Sequence, residues 1–202
     1  MTELVSIFIF NRMEILDFAG PAEVFSTASR LVARQQPNAP TLFEVMTVAE
    51  KQDTVVTRGG LIIQPHFTID AHPHTDLLII PGGRHDGELK KDHVIDWLGY
   101  AAQTARITAS VCTGSFLLAK TGLLDGKQAT THWEDLDDFQ AMFPRVNVVR
   151  NQRWVDNGAL VTAAGISAGM DMSLHLVARL AGEDLAMRTA RQMEYDWQPS
   201  LV

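Results

Sequence analysis

Cysteine is almost missing from this chain: Cys112 is the only one in 202 residues. A single thiol excludes an internal disulfide, and a chain built this way suits a reducing compartment such as the cytoplasm. Basic clusters are scarce too. Lysine and arginine total 17 against 24 aspartate and glutamate, a net charge of −7 at pH 7, and basic groupings are sparse, as at Arg145, Arg150 and Arg153. A nucleic-acid backbone would find little to hold. That leaves a small molecule or another protein as the partner. No apolar run approaches the roughly 20 residues of a membrane span, and Met1-Thr2-Glu3-Leu4 puts no basic region ahead of its apolar stretch, so no secretory signal is readable. Neither a Walker loop nor a dinucleotide fingerprint occurs. The expectation is a soluble cytoplasmic protein of one domain, large enough to bury roughly 70% of its unfolded surface.

What is present alternates. The β-branched runs Leu4 to Phe10, Phe43 to Ala49, Leu61 to Ile63, Asp76 to Ile80 and Ile107 to Val111 read as strands. Between and after them, helical spacing runs from Asp17 to about Gln35, Val94 to Ala105 and Phe116 to Leu123. Ala129 to His132 and Val146 to Arg150 read as further strands around an acidic helix, Glu134 to Met142. Asp156-Asn157-Gly158 predicts a hairpin, and Ala168 to about Glu194 predicts two helices broken near Gly182. This pattern predicts a three-layer α/β/α sandwich around a mostly parallel sheet.

Ligands in such folds sit outside the carboxyl ends of the strands; of three small-residue turns here the first two fall at those ends, and Asp17 lies just beyond the first strand and its loop. The first, Ser110-Val111-Cys112-Thr113-Gly114, resembles a nucleophile elbow, with small flanks that permit a sharp turn. A helix start beside Cys112 would favour its thiolate, against the alternative of a buried sulfur packed as a small hydrophobe. The second, Pro81-Gly82-Gly83, is either a plain turn or, through the Gly83 and Thr113 N–H groups, an anion hole. The third, Ala163 to Gly169, places Ile166 as a pocket wall or serves only as a close strand-to-helix contact. Asp17 has two readings, a helix N-cap or a general acid and base. No histidine lies near Cys112 in sequence, so the second reading has a job to fill. His132 either orients a substrate or is a satisfied core histidine beside Trp133. His66, His72 and His74 read as loop residues around two prolines, not as metal ligands. His85, Asp86, Glu88, Asp92 and His93 read as a solvated loop and helix start, and the four tryptophans as core or interface.

Together Asp17-Phe18-Ala19-Gly20-Pro21, Pro81-Gly82-Gly83, Ala109 to Ser115 and Ala129 to Trp133 resemble the ThiJ/PfpI superfamily, single-domain relatives of class I glutamine amidotransferases, from Leu4 to about Tyr195. The resemblance implies a flavodoxin-like fold. Within it the chain is most similar to the isocyanide (isonitrile) hydratase branch, whose nucleophile is followed by threonine and whose late turn reads Gly-Ile-Thr-Ala-Gly. Here Ser167 departs from that turn and keeps the hydroxyl. Carried over, this implies Cys112 and Asp17 as catalytic residues, and Gly82, Gly83, Thr113, Ile166 and His132 as substrate-binding ones. It further implies no metal or organic cofactor, and a homodimer. Thr113 argues against the peptidase branch, which has histidine at that place, and Asp17 against the glyoxalase and deglycase branch. A regulator of the AraC type uses a similar domain but continues into a DNA-binding region, so a sensor role is the rival reading.

Overall fold

Strand β1 (Glu3–Ile9) is buried from Val5 onward on both faces, as a central strand of a sheet covered on two sides must be. The computed structural model describes residues 2–197. After β1 come α1 (Ile15–Gln35), β2 (Phe43–Ala49), the two-residue strands β3 (Val55–Val56), β4 (Ile62–Ile63) and β5 (Phe67–Thr68), and then β6 (Leu77–Ile80). Helix α2 (Asp92–Thr104), β7 (Ile107–Val111), α3 (Gly114–Lys120), β8 (Gln128–Ala129), α4 (Leu136–Met142) and β9 (Asn147–Val148) follow. The hairpin β10 (Trp154–Asp156) and β11 (Leu160–Ala163) leads into α5 (Ala168–Ala181) and α6 (Glu183–Gln192).

Seven strands form one sheet in the order β10-β11-β7-β6-β1-β2-β5. Every pairing in it is parallel except β10 with β11, the hairpin expected at Asp156-Asn157-Gly158. The chain winds outward from β1 to β2 and, in the opposite sense, from β6 to β7. The two right-handed crossovers therefore put α1 and α2 on opposite faces, which gives the three-layer α/β/α sandwich. Winding reverses between β1 and β6, so their carboxyl ends, Ile9 and Ile80, flank the crevice where such folds hold ligands. Helix α1 packs on α5 and α6. Gly20 makes the first of these contacts possible, because a Cβ there would lie 2.8 Å from Met170 Cγ. No helix among the described residues is long and apolar enough to cross a membrane.

Three expectations need correcting. Leu61 to Ile63 is not a strand of the main sheet: only Ile62–Ile63 is extended, and it pairs with β3 in a separate hairpin. Ala129 to His132 and Val146 to Arg150 shrink to β8 and β9, which pair only with each other. The backbone is diverted because Thr130 N–H bonds Thr162 Oγ1 at 2.9 Å and the Thr131 hydroxyl bonds the Cys112 carbonyl at 2.9 Å. Helix α3 ends at Lys120, short of Leu123, where the Thr121 hydroxyl takes the Leu118 carbonyl at 2.6 Å and Gly122 turns left-handed.

Candidate active site around Cys112

Strand β7 ends at Val111, and Cys112 then takes φ +56°. A left-handed conformation in a non-glycine residue costs on the order of 1–3 kcal/mol and persists only where its surroundings enforce it. They do so here. Cys112 N–H donates to the Ala163 and Ala164 carbonyls at 3.2 and 2.9 Å. Its carbonyl accepts from the Ser115 and Thr131 hydroxyls at 3.1 and 2.9 Å. The turn presses against the end of β6 so closely that a Cβ on Gly114 would lie 2.1 Å from the Ile80 carbonyl oxygen. Only glycine fits there, so the turn that carries Cys112 is held tight against the end of β6.

Helix α1 starts at Ile15 with Glu14 as its N-cap residue, so Asp17 lies inside the first turn and is not the cap. Its side chain is fully buried. Gly82 N–H donates to Oδ2 at 3.0 Å, while Oδ1 has no hydrogen-bond partner among the described residues. The Cys112 thiol and Ile166 N–H are near enough to favour the carboxylate, without either reaching full hydrogen-bond geometry on Oδ1. Burial outweighs these contacts, and with the nearby charge of Glu14 it pushes the Asp17 carboxyl up to about 7. This is the range a proton-transfer group needs at neutral pH.

The thiol behaves contrary to the expectation from its helix start. Burial first, and the Asp17 charge second, push the Cys112 thiol well above its ordinary range, and the Thr113 N–H only partly opposes them. Helix α3 has seven residues, and its partial charge is too weak to offset desolvation. The thiol thus resists ionisation further once Asp17 is charged, while the neutral thiol favours the Asp17 carboxylate. Asp17 therefore loses its proton first, through about 7, while the thiol keeps its own.

Cys112 opens onto a cavity of about 310 Å³ walled in part by Gly83, Thr113, His132 and Ile166. Five of the seven expected site residues, counting Cys112, therefore share one space. Asp17 and Gly82 sit behind the thiol, where a Cβ on Gly82 would lie 2.5 Å from Thr113 N. The expected Gly83 donor is already engaged: its N–H bonds Thr113 Oγ1 at 2.9 Å, and that hydroxyl returns a bond to the Gly83 carbonyl at 3.0 Å. The side chain of Thr113 thus ties the two turns together, and Gly83 N–H does not form an anion hole in this arrangement. His132 is only partly exposed, with Nδ1 3.4 Å from Asp135 Oδ2. Its ring leans on Gly165, where a Cβ would lie 2.1 Å from His132 Cδ2. It is a cavity-wall histidine, not a core one, and the adjacent Trp133 is 72% exposed, outside the core, with its ring tilted against that of His132.

His85 and Asp86 also line the cavity, and Glu88 is buried, so that segment is not a plain solvated loop. Sequence reasoning missed Glu14, Arg58, Arg84, Glu134 and Asp135 on the same wall. Glu134 and Asp135 follow His132 directly, which was a usable signal. Arg58 arrives from the β3–β4 hairpin and lies 3.8 Å from Glu14, a meeting no local pattern announces. Elsewhere, His66 bonds Thr47, His72 bonds Trp97 and His74 lies beside Asp76. Among the described residues no group of three or more metal-ligating side chains is gathered.

A strained cysteine at a strand-to-helix turn, backed by a buried carboxyl at the switch point of a parallel sheet, defines the class, and the chain belongs to the DJ-1/PfpI family, which it matches over residues 3–179. Particular relatives divide in kind. The chain is 32% identical over 193 residues to isonitrile hydratase of Pseudomonas putida, covering 95% of this chain and 78% of that protein. It is 31% identical over 193 residues to the HTH-type transcriptional regulator GbdR of Pseudomonas aeruginosa, covering 95% of this chain and 50% of the regulator, so it spans only half that protein's length. A solved ThiJ/PfpI family protein from Pseudomonas syringae superimposes with a TM-score of 0.83 at 28% identity, covering all of this chain and 78% of that one.

Proposed function

We propose that the protein hydrates a small electrophilic carbon, an isocyanide, to an N-substituted formamide. The observation that carries this reading is the pairing of Cys112 with a buried Asp17 whose carboxyl titrates near 7. Asp17 takes the thiol proton as the sulfur bonds to the terminal isocyanide carbon, and then delivers that proton to the same carbon, giving a thioimidate. Water activated by Asp17 adds to this carbon, one of its protons passes to the imidate nitrogen, the C–S bond breaks, and the sulfur regains the other. The sum is isocyanide plus water to formamide. Thr113 N–H, facing the sulfur, steadies its charge, and Ile166, His132 and Gly83 shape the space for the substrate. The likeness to isonitrile hydratase supports the choice of electrophile. The scheme uses no metal or organic cofactor; the single cysteine suits the cytoplasm, and the resemblance points to a homodimer, which sedimentation velocity tests.

The test is hydration of a simple alkyl isocyanide followed by formamide release. Cys112→Ala should abolish it and Asp17→Asn should lower kcat by roughly 10²–10⁴-fold. Turnover surviving in the cysteine variant would reject the scheme. The likeness to GbdR over the same residues favours a second reading, a metabolite-sensing domain. Stoichiometric ligand binding in the cavity with no turnover of isocyanides would select it.

A further inference from the structure

We propose that Arg153, Asp171 and Tyr195 are positioning residues that hold the Ile166 turn against Asp17 and so set the acid–base balance of the Asp17–Cys112 pair. The inference rests on the proposed role of that pair, and concerns residues outside the cavity. Ile166 has φ +55°, which in a β-branched side chain is an outlier that its neighbours must enforce. On its inner side the turn lies against the pair: the Ala164 carbonyl accepts Cys112 N–H at 2.9 Å, Ile166 walls the Cys112 cavity, and its N–H is among the groups that favour the Asp17 carboxylate. On its outer side the turn is gripped at several points. The Arg153 carbonyl accepts from Ala164 N–H at 2.9 Å, and its guanidinium reaches Ser167 Oγ at 3.2 Å.

The same guanidinium makes a two-pronged ion pair with Asp171, which is 5% exposed on α5. Tyr195 closes the bracket by donating its hydroxyl to Asp171 Oδ1 at 3.0 Å, with the Ser167 carbonyl 3.5 Å away. A buried carboxylate fixed by a forked arginine and a phenol is rigid, because each partner it loses leaves desolvated charge behind. Ser167 Oγ serves Arg153 and makes no cap bond for α5. Its hydroxyl is thus spent on holding the turn.

Loosening the bracket lets Ile166 relax from the strained conformation and withdraws its N–H from Asp17. That N–H favours the carboxylate, so its loss raises the Asp17 midpoint. Glu14 and Cys112 are the titratable groups that act on Asp17, with Arg58, Arg84, His85, Asp86, His132, Glu134 and Asp135 around the cavity. The substitutions below leave all of them in place.

The experiment follows the rate of Cys112 alkylation by iodoacetamide against pH in the full chain, with Tyr195→Phe as the mild variant and Arg153→Lys as the stronger one. Alkylation reports the pair without requiring turnover, so it is informative even if isocyanide hydration fails. The expected result is an upward move of the midpoint by about half a pH unit or more in both variants, and the same move in the kcat/KM profile where hydration is observed. An unchanged or lowered midpoint, with only the melting temperature reduced, would show a purely structural bracket and overturn the proposal.

Discussion

Asp17 is fully buried, and the groups that act on it are two backbone N–H groups, a thiol and the like charge of Glu14. Its folded-state value of about 7 lies above the ordinary 3.8, so between those pH values the folded protein binds a proton that the unfolded chain has released. Stability supplied by the protonated form is therefore greatest at low pH and is lost as pH rises towards 7. Asp17→Asn removes a buried charge and should raise the melting temperature at pH 8 but not at pH 4, with an upper bound of roughly 4 kcal/mol. Differential scanning calorimetry at the two pH values checks the sign. In the wild type, hydration should rise with pH through about 7 as Asp17 becomes able to accept the thiol proton, and a flat profile from pH 5 to 9 would contradict that role.

Among the elements, the elbow after β7 and the turn before α5 both use glycine, for different physical reasons. At Gly114 the obstacle to a side chain is the Ile80 carbonyl, a backbone atom fixed in the sheet. At Gly165 the obstacle is the His132 ring, the end of a side chain that can swing away. Gly114→Ala should therefore destabilise by roughly 3 kcal/mol or more, while Gly165→Ala should leave the melting temperature nearly unchanged and lower substrate or ligand affinity by moving His132. Chemical denaturation and binding titrations on the two variants separate the effects. The elements themselves were legible from pattern: β1, β6 and β7 are apolar runs bounded by turn residues, and α5 and α6 part at Gly182, whose φ is +96°. β3 and β5 were not legible, because a two-residue strand has no period to read.

For the whole molecule, the net charge of −7 makes a further prediction. The chain as described should show no salt-sensitive binding to duplex DNA in fluorescence anisotropy, since a phosphate-binding face needs clustered cations. A steep salt dependence of binding would refute this and strengthen the regulator reading. Arg145 and Arg150, two of a basic grouping in the sequence, are paired with Asp125 and Asp137. Arg153, the third, is drawn inward to Asp171. The apparent cluster is three separate ion pairs. A signal for Asp171 did exist, since it sits among Ala168, Met172 and Ser173 on the buried side of α5, where an acid needs a partner.

The sequence by itself determined the sheet's central strands, the sharp turn at Cys112, the absence of an internal disulfide and the candidacy of Asp17, because each depends on residue type, alone or within a few neighbours. Tertiary structure alone decided that Asp17 lies behind the thiol instead of capping its helix, that the thiol is driven up and not down, and that Gly83 N–H is held by Thr113. It also decided that His85, His132 and Ile166 share one cavity with Cys112. The physical reason is that desolvation and hydrogen-bond occupancy depend on what surrounds an atom in space, and for Cys112 those surroundings come from segments far from it in the chain.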